Sequence, residues 1–133
     1  MDPVFLLLEE VLSLHGDQIR RYGGSPGVRD MDLLSSALGA VSATFGGEFL
    51  NQDLYEMAAA YLFHVAKNHP FVDGNKRVAL ASSLTFLWMN DVEVLAGEDE
   101  LTDLVLGVAE GRFSKAEIAV FLKAHANPRK SEL

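Results

Sequence analysis

The sequence predicts an all-α fold, a single-domain helical bundle built around a central buried helix. Three observations carry that reading. Apolar residues recur at spacings of three and four along most of the chain, and glycine and proline clusters cut the pattern into segments of helical length. The 133 residues are enough for one hydrophobic core. A hydrophobic content of 49% against 23% charged residues can fill that core and excludes a disordered chain.

The first helix is expected from Pro3 to about Arg21, because Val4, Leu7, Leu8, Val11, Leu12, His15 and Ile19 fall on one face and proline suits a first helical position. The cluster Tyr22-Gly23-Gly24-Ser25-Pro26-Gly27 ends it. Asp30 can cap a second helix that carries Leu33, Leu34, Ala37, Leu38 and Val41 on one side. Thr44 to Gln52, with Gly46-Gly47 inside it, reads as a loop or short β-hairpin flap. A third helix, from about Asp53 to Lys67, has an unbroken stripe of Leu54, Met57, Ala58, Tyr61, Leu62, Val65 and Ala66.

After a break at Asn68 to Gly74, a fourth helix from Asn75 to Asn90 is apolar on nearly every side, which predicts that it is the central one. Val92 to Ala96 allows an extended segment, but Asp91 and Glu93 mark it as an exposed connection. Glu98 to Glu110 supplies a fifth helix whose early carboxylates complement a helix start. Ser114-Lys115-Ala116-Glu117 is a capping box opening the last helix, with Ile118, Phe121 and Leu122 facing inward. The domain is expected over residues 1–126, followed by a polar tail at 127–133 without regular structure.

Charge narrows the function. Eleven Lys and Arg against nineteen Asp and Glu leave a formal charge of -8, so no chain-wide basic field exists to attract DNA or RNA. The absence of cysteine excludes a disulfide scaffold, a thiol nucleophile and a cysteine zinc site. No apolar run approaches the roughly 18 residues of a membrane span, and the short stretch from Val4 to Leu8 lacks the basic flank of a signal peptide. A cytoplasmic location is expected.

One segment stands apart: His69-Pro70-Phe71-Val72-Asp73-Gly74-Asn75-Lys76-Arg77. If Asn75 or Lys76 opens the fourth helix, the free N–H groups of Gly74, Asn75, Lys76 and Arg77 point into the loop and can bind an anion. Gly74 can take a positive φ and curl the backbone into a nest without a Cβ in the way. Lys76 and Arg77 add cationic charge, Asp73 offers a hard oxygen to Mg²⁺, and the imidazole of His69 can take a proton from a hydroxyl. These parts suit phosphoryl-type transfer. An ordinary Asp-Gly-Asn turn followed by a solvated first helical turn accounts for the same residues structurally.

The segment resembles the signature of the Fic superfamily, His-x-Phe-x-(Asp/Glu)-Gly-Asn-x-Arg, at His69, Phe71, Asp73, Gly74, Asn75 and Arg77. Lys76, where most Fic proteins have a second Gly, is similar to the Doc (death-on-curing) branch. So is the upstream run from His15 through Arg21-Tyr22-Gly23-Gly24-Ser25-Pro26-Gly27-Val28-Arg29-Asp30, and so is Phe86-Leu87 followed by Asn90. The resemblance implies that His69 is the catalytic base and that Asp73 holds Mg²⁺ with the phosphates of ATP. It also implies that Asn75 and Arg77 grip phosphate, with Gly74 and Lys76 completing the cradle, and that Phe71 is buried.

Two departures from the AMP-transferring members are Lys76 and Leu80, the latter where those enzymes usually place a second Arg. A charge-assisted hydrogen bond to phosphate is worth roughly 1.5–3 kcal/mol, enough to re-rank nucleotide poses. Doc-like members are understood to transfer the γ-phosphate. The resemblance therefore implies a toxin that phosphorylates a threonine of elongation factor Tu and is blocked in trans by a Phd-like antitoxin. The run Thr44-Phe45-Gly46-Gly47-Glu48-Phe49 does not fit the inhibitory helix that many Fic proteins carry. AMP transfer to a protein hydroxyl and a non-catalytic partner-binding module are the other two readings.

The remaining histidines read as structural. His64 and His69 are five apart and do not share a helical face, which argues against a two-histidine metal site. His15 reads as a packed, hydrogen-bonded residue, and His125 as a cation at a helix C-terminus. The Tyr22 to Gly27 loop reads as a tight interhelical turn, with lining of the nucleotide site as its other reading.

Overall fold

The computed structural model describes residues 2–130. Six helices dominate: α1 Leu8–Tyr22, α2 Met31–Ser42, α3 Leu54–Asn68, α4 Asn75–Met89, α5 Glu98–Ala109 and α6 Lys115–Ala124. Two small antiparallel pairs accompany them, β1 Thr44–Phe45 with β2 Glu48–Phe49, and β3 Val92–Val94 with β4 Ala126–Pro128. Side-chain caps start three of the helices. Asp30 accepts from Leu33 N–H, Asp53 from Glu56 N–H, and Ser114 from Glu117 N–H, each satisfying a donor that the helix itself leaves free.

The central helix is α3. It packs against α2, α4, α5 and α6, and Met57, Ala58, Ala59, Ala60, Tyr61 and Leu62 are buried in succession. That corrects the expectation for α4, which leaves Trp88 exposed and Leu80 and Leu84 half-buried. The physical reason is size. Ala58, Ala59 and Ala60 let neighbouring helices approach from every side, whereas the bulky apolar residues of α4 partly cover the rim. Ser83 faces the alanine run and donates to Ala58 C=O at 2.8 Å.

Both chain ends differ from the sequence-based expectation. Helix α1 begins at Leu8 and not at Pro3, because residues 4–6 have long-range partners. Val4 N–H donates to Asn90 Oδ1 at 2.8 Å, Asn90 Nδ2 returns a bond to Val4 C=O at 2.9 Å, and Leu6 N–H donates to the Tyr61 hydroxyl at 2.9 Å. Phe5 packs between Phe49 and Phe86. At the other end, Val92, Glu93 and Val94 pair with Pro128, Asn127 and Ala126. The expected exposed connection is thus a half-buried strand, and the polar tail opens as its partner. Arg129 then closes the pair by donating to Trp88 C=O and Asp91 Oδ1 while its guanidinium lies over the Trp88 ring. The last three residues of the expected tail lie outside the described residues.

The segment Thr44 to Phe49 forms a hairpin, turning through Gly46 and Gly47, both at positive φ. Asn51 then donates to the carbonyls of Ala40 and Val41 and so caps the end of α2. Among the described residues, no helix is long and apolar enough to cross a membrane.

Burial pushes the pKa of the Tyr61 hydroxyl up to about 12, with the Leu6 N–H acting against that shift. Raised above its unfolded value near 10, the neutral phenol contributes stability that is present below about pH 10 and lost as pH climbs toward 12. Replacing Tyr61 by Phe strands the buried Leu6 N–H, so urea unfolding at pH 7 should show a loss of about 1–3 kcal/mol. The fall in stability between pH 10 and 12 should also be shallower in the variant; an unchanged alkaline profile would refute the assignment.

Candidate active site

The nine-residue segment bridges the end of α3 and the start of α4. Helix α3 stops at His69, which takes a left-handed conformation with φ 49° and ψ 53°. Such a value is uncommon away from glycine, and Pro70 immediately after disfavours helical geometry as well. Phe71 then turns inward, fully buried, and Gly74 at φ 77° starts α4. His69, Asp73 and Lys76 are exposed, Gly74 and Arg77 half-buried, and Asn75 buried.

Asn75 closes the turn. Its Oδ1 accepts from Phe71 N–H at 2.9 Å, its Nδ2 donates to Phe71 C=O at 3.0 Å, and the same Nδ2 lies 3.3 Å from His69 Nδ1. The two bonds to Phe71 fix the orientation of the amide, so Nδ1 of His69 is on its receiving side. With the amide N–H donating, this contact places the ring proton on Nε2. The Asn75 side chain, expected to grip phosphate, is therefore engaged in holding the loop, and only its main-chain N–H faces the helix start.

The first main-chain bond closing α4 runs from Val78 N–H to Gly74 C=O at 3.0 Å. The N–H groups of Asn75, Lys76 and Arg77 have no acceptor among the described residues, and the positive end of the helix dipole lies there. Asp73 sits beside this opening. Its Oδ2 accepts from Ser25 N–H at 3.1 Å and its Oδ1 from Gly74 N–H at 2.8 Å. The Ser25 bond, followed by the Gly74 bond, holds the carboxyl below the usual carboxylate range. Arg77 reaches back to α1 and the following loop, donating to Gln18 C=O at 3.4 Å and Gly23 C=O at 2.9 Å through Nη1.

The loop between α1 and α2 is pressed onto this segment. Val72 N–H donates to Gly27 C=O at 3.1 Å, and Arg29 and Asp30 N–H both donate to Pro70 C=O at 2.8 and 3.0 Å. Gly24, at φ 115°, approaches so closely that a Cβ there would stand 2.7 Å from Asp73 Oδ2 and 3.1 Å from Arg77 Nη2. The loop is thus both a turn and a wall of the site. His15 is the packed, hydrogen-bonded residue its position implies: buried, stacked on Phe71 at 3.9 Å, with Nε2 2.7 Å from Asp73 C=O. Sequence reasoning does not find Ser25 and Arg29 as contacts of the segment. Neither carries a local signal, since both sit in or beside a glycine- and proline-rich run that a tight turn explains.

The other histidines lie elsewhere. His64 Nε2 meets Lys115 Nζ at 3.3 Å, and burial followed by that ammonium holds its pKa down. His125 closes α6 with Nδ1 2.9 Å from Phe121 C=O and Nε2 3.3 Å from Glu100. Among the described residues there is no group of three or more His, Cys, Asp or Glu side chains able to cage a metal ion. Asp73 alone fits the role of a single carboxylate ligand. It is ionised and exposed, and each of its oxygens, having accepted one N–H, keeps lone-pair capacity for a hard cation that phosphate oxygens would also hold.

Because the Asp73 carboxyl is depressed chiefly by Ser25 N–H, its side-chain carbon should titrate below an ordinary Asp in NMR. Ser25→Pro, which deletes that donor, should bring the midpoint back up. A depressed carboxyl favours the folded loop above its unfolded pKa and ceases to do so as pH falls through the folded one. A midpoint indifferent to Ser25→Pro would rule out this origin.

Comparison with known proteins agrees with the geometry. The family model described as Fic/DOC family matches residues 5–87. The protein kinase doc of Escherichia phage P1 is 42% identical over 115 residues, covering 86% of this chain and 90% of that protein. The toxin Doc of Mycolicibacterium smegmatis is 44% identical over 78 residues, covering 59% of this chain and 60% of that protein. A match spanning the helices on both sides of the His69–Arg77 turn, together with relatives that align along the chain, places this protein in the Fic/DOC family, on its Doc branch.

Proposed function

We propose that this protein is a Doc-like toxin that transfers the γ-phosphate of ATP to a threonine or serine hydroxyl of elongation factor Tu, and that it acts in the cytoplasm. The observation that carries the reading is the open start of α4. Three main-chain N–H groups without acceptors among the described residues, an exposed imidazole, an ionised carboxylate and an exposed ammonium converge on one turn. Such a turn suits the terminal phosphates of a nucleotide. The relative named as a protein kinase favours phosphate over AMP as the transferred group. So do the lysine at position 76 and the half-buried Leu80, which leaves no second arginine for the far phosphates.

In this reading the donors of Asn75, Lys76 and Arg77 and the Lys76 ammonium hold the phosphates. Asp73 would hold Mg²⁺ together with them, and the ion when bound offsets phosphate charge. His69 takes the hydroxyl proton at Nε2 while the hydroxyl oxygen bonds to the γ-phosphorus. The bridging P–O bond breaks and ADP departs with the electron pair. Accepting at Nε2 requires the Nδ1–H tautomer, which the exposed ring reaches by proton exchange with solvent before the transfer, giving up its long 3.3 Å contact with Asn75. Inhibition comes in trans from a Phd-like antitoxin, a reading supported by the β1–β2 hairpin that Thr44 to Phe49 form in place of an inhibitory helix.

The test is incubation of the purified protein with Mg²⁺, elongation factor Tu and ATP labelled on either the γ- or the α-phosphate. Label should transfer from the γ position only, with a target mass gain of one phosphate. His69→Ala should slow transfer on the order of 10²–10⁴-fold, and chelation of Mg²⁺ should abolish it. A mass gain of one AMP would overturn the assignment of the transferred group. Undiminished growth arrest by His69→Ala would instead indicate a non-catalytic partner-binding module.

A further inference from the structure

We infer that Arg29 is a positioning residue that holds His69 in its left-handed conformation and so aims the imidazole. This rests on the reading of His69 as the base.

The geometry is specific. Helix α3 ends with carbonyls that the helix cannot satisfy, and one guanidinium binds two of them in succession. Arg29 Nη2 donates to Asn68 C=O at 3.1 Å and Nε donates to His69 C=O at 2.7 Å. The next carbonyl, of Pro70, accepts from the main-chain N–H groups of Arg29 and Asp30. Three consecutive peptide planes are therefore fixed by two adjacent residues far upstream in the chain. A cation at this place also complements the negative end of the α3 dipole.

His69 needs such support. A non-glycine residue at φ 49° is strained, and a residue before proline prefers extended geometry. Left to itself the main chain at His69 would relax toward the extended region, swinging the ring away from Asn75. The ring's own hydrogen bond cannot prevent this, since the one it makes among the described residues is the long one to Asn75 Nδ2. Asn68 is held separately by its side chain on Leu33 C=O at 3.0 Å, so the element left to Arg29 is the His69 peptide itself. Among the described residues the Arg29 guanidinium spends its hydrogen bonds on the end of α3 and none on Asp73, which predicts an effect on rate and not on nucleotide binding.

The experiment compares Arg29→Ala and Arg29→Lys with the natural protein. Arg29→Ala should lower kcat about 10–100-fold, the scale of a misplaced reacting group, with the dissociation constant of a non-hydrolysable ATP analogue within about twofold of the natural value. Arg29→Lys, able to reach one carbonyl at a time, should fall between. In parallel, the ring resonances of His69 should shift in NMR spectra of Arg29→Ala without nucleotide. That arm needs no turnover, so it decides the inference even if no phosphate transfer is found. His69 resonances unchanged in both variants, or kcat within about twofold of natural, would overturn it. A proportional loss of analogue binding would also overturn it, by assigning Arg29 to the phosphate cradle. Should Arg29→Ala not fold, Arg29→Lys carries the same two readouts.

Discussion

The amide of Asn75 is the interaction on which the site depends. By bonding both main-chain groups of Phe71, it lets a polar turn enter the core without stranding a donor or an acceptor. An unmade pair of that kind costs roughly 1–3 kcal/mol for each group, so the turn and the burial of Phe71 stand or fall together. Everything chemical about the segment follows from this anchor. With Phe71 pinned beneath His15, the main chain rises on one side to His69 and on the other to Asp73, Gly74 and the opening of α4.

The same anchor divides labour within the motif. Side chains that look equivalent in sequence do opposite work: Asn75 faces inward and holds shape, while Lys76 faces solvent and offers charge. Asp73 occupies the boundary. Its carboxylate is drawn toward two main-chain donors, which keeps it ionised without neutralising it by a salt bridge. A carboxylate satisfied by N–H groups remains a negative charge available to a cation, whereas one paired tightly with an arginine would be less so.

Much of this is legible in the sequence because helical periodicity is a local property. The six helices stand near where spacing and capping residues put them, and the segment His69 to Arg77 stands out by the polar groups it packs between two helices. What escapes is long-range. Val4 to Leu6 carry a helical pattern, yet their partners are Asn90 and Tyr61, and those bonds take the segment out of α1. Val92 to Val94 look like a linker because their strand partner, Ala126 to Pro128, arrives only after two further helices. The central position of α3 is hard to read because it rests on the small side chains of Ala58, Ala59 and Ala60, which permit close packing from several neighbours, while apolar residues all round α4 point to that helix instead. Arg29 is hardest of all: nothing in its own neighbourhood hints that it ends a helix elsewhere.

The clasp between Val4 and Asn90 bears on the order in which the molecule is made. A ribosome delivers the amino terminus first, at about 5–20 residues each second, yet residues 4–6 acquire their hydrogen-bonding partners only after α3 and α4 have emerged. The turn before α2 waits in the same way for the turn after α3. Synthesis therefore imposes a delay of several seconds between the emergence of α1 and that of its docking surface on α4.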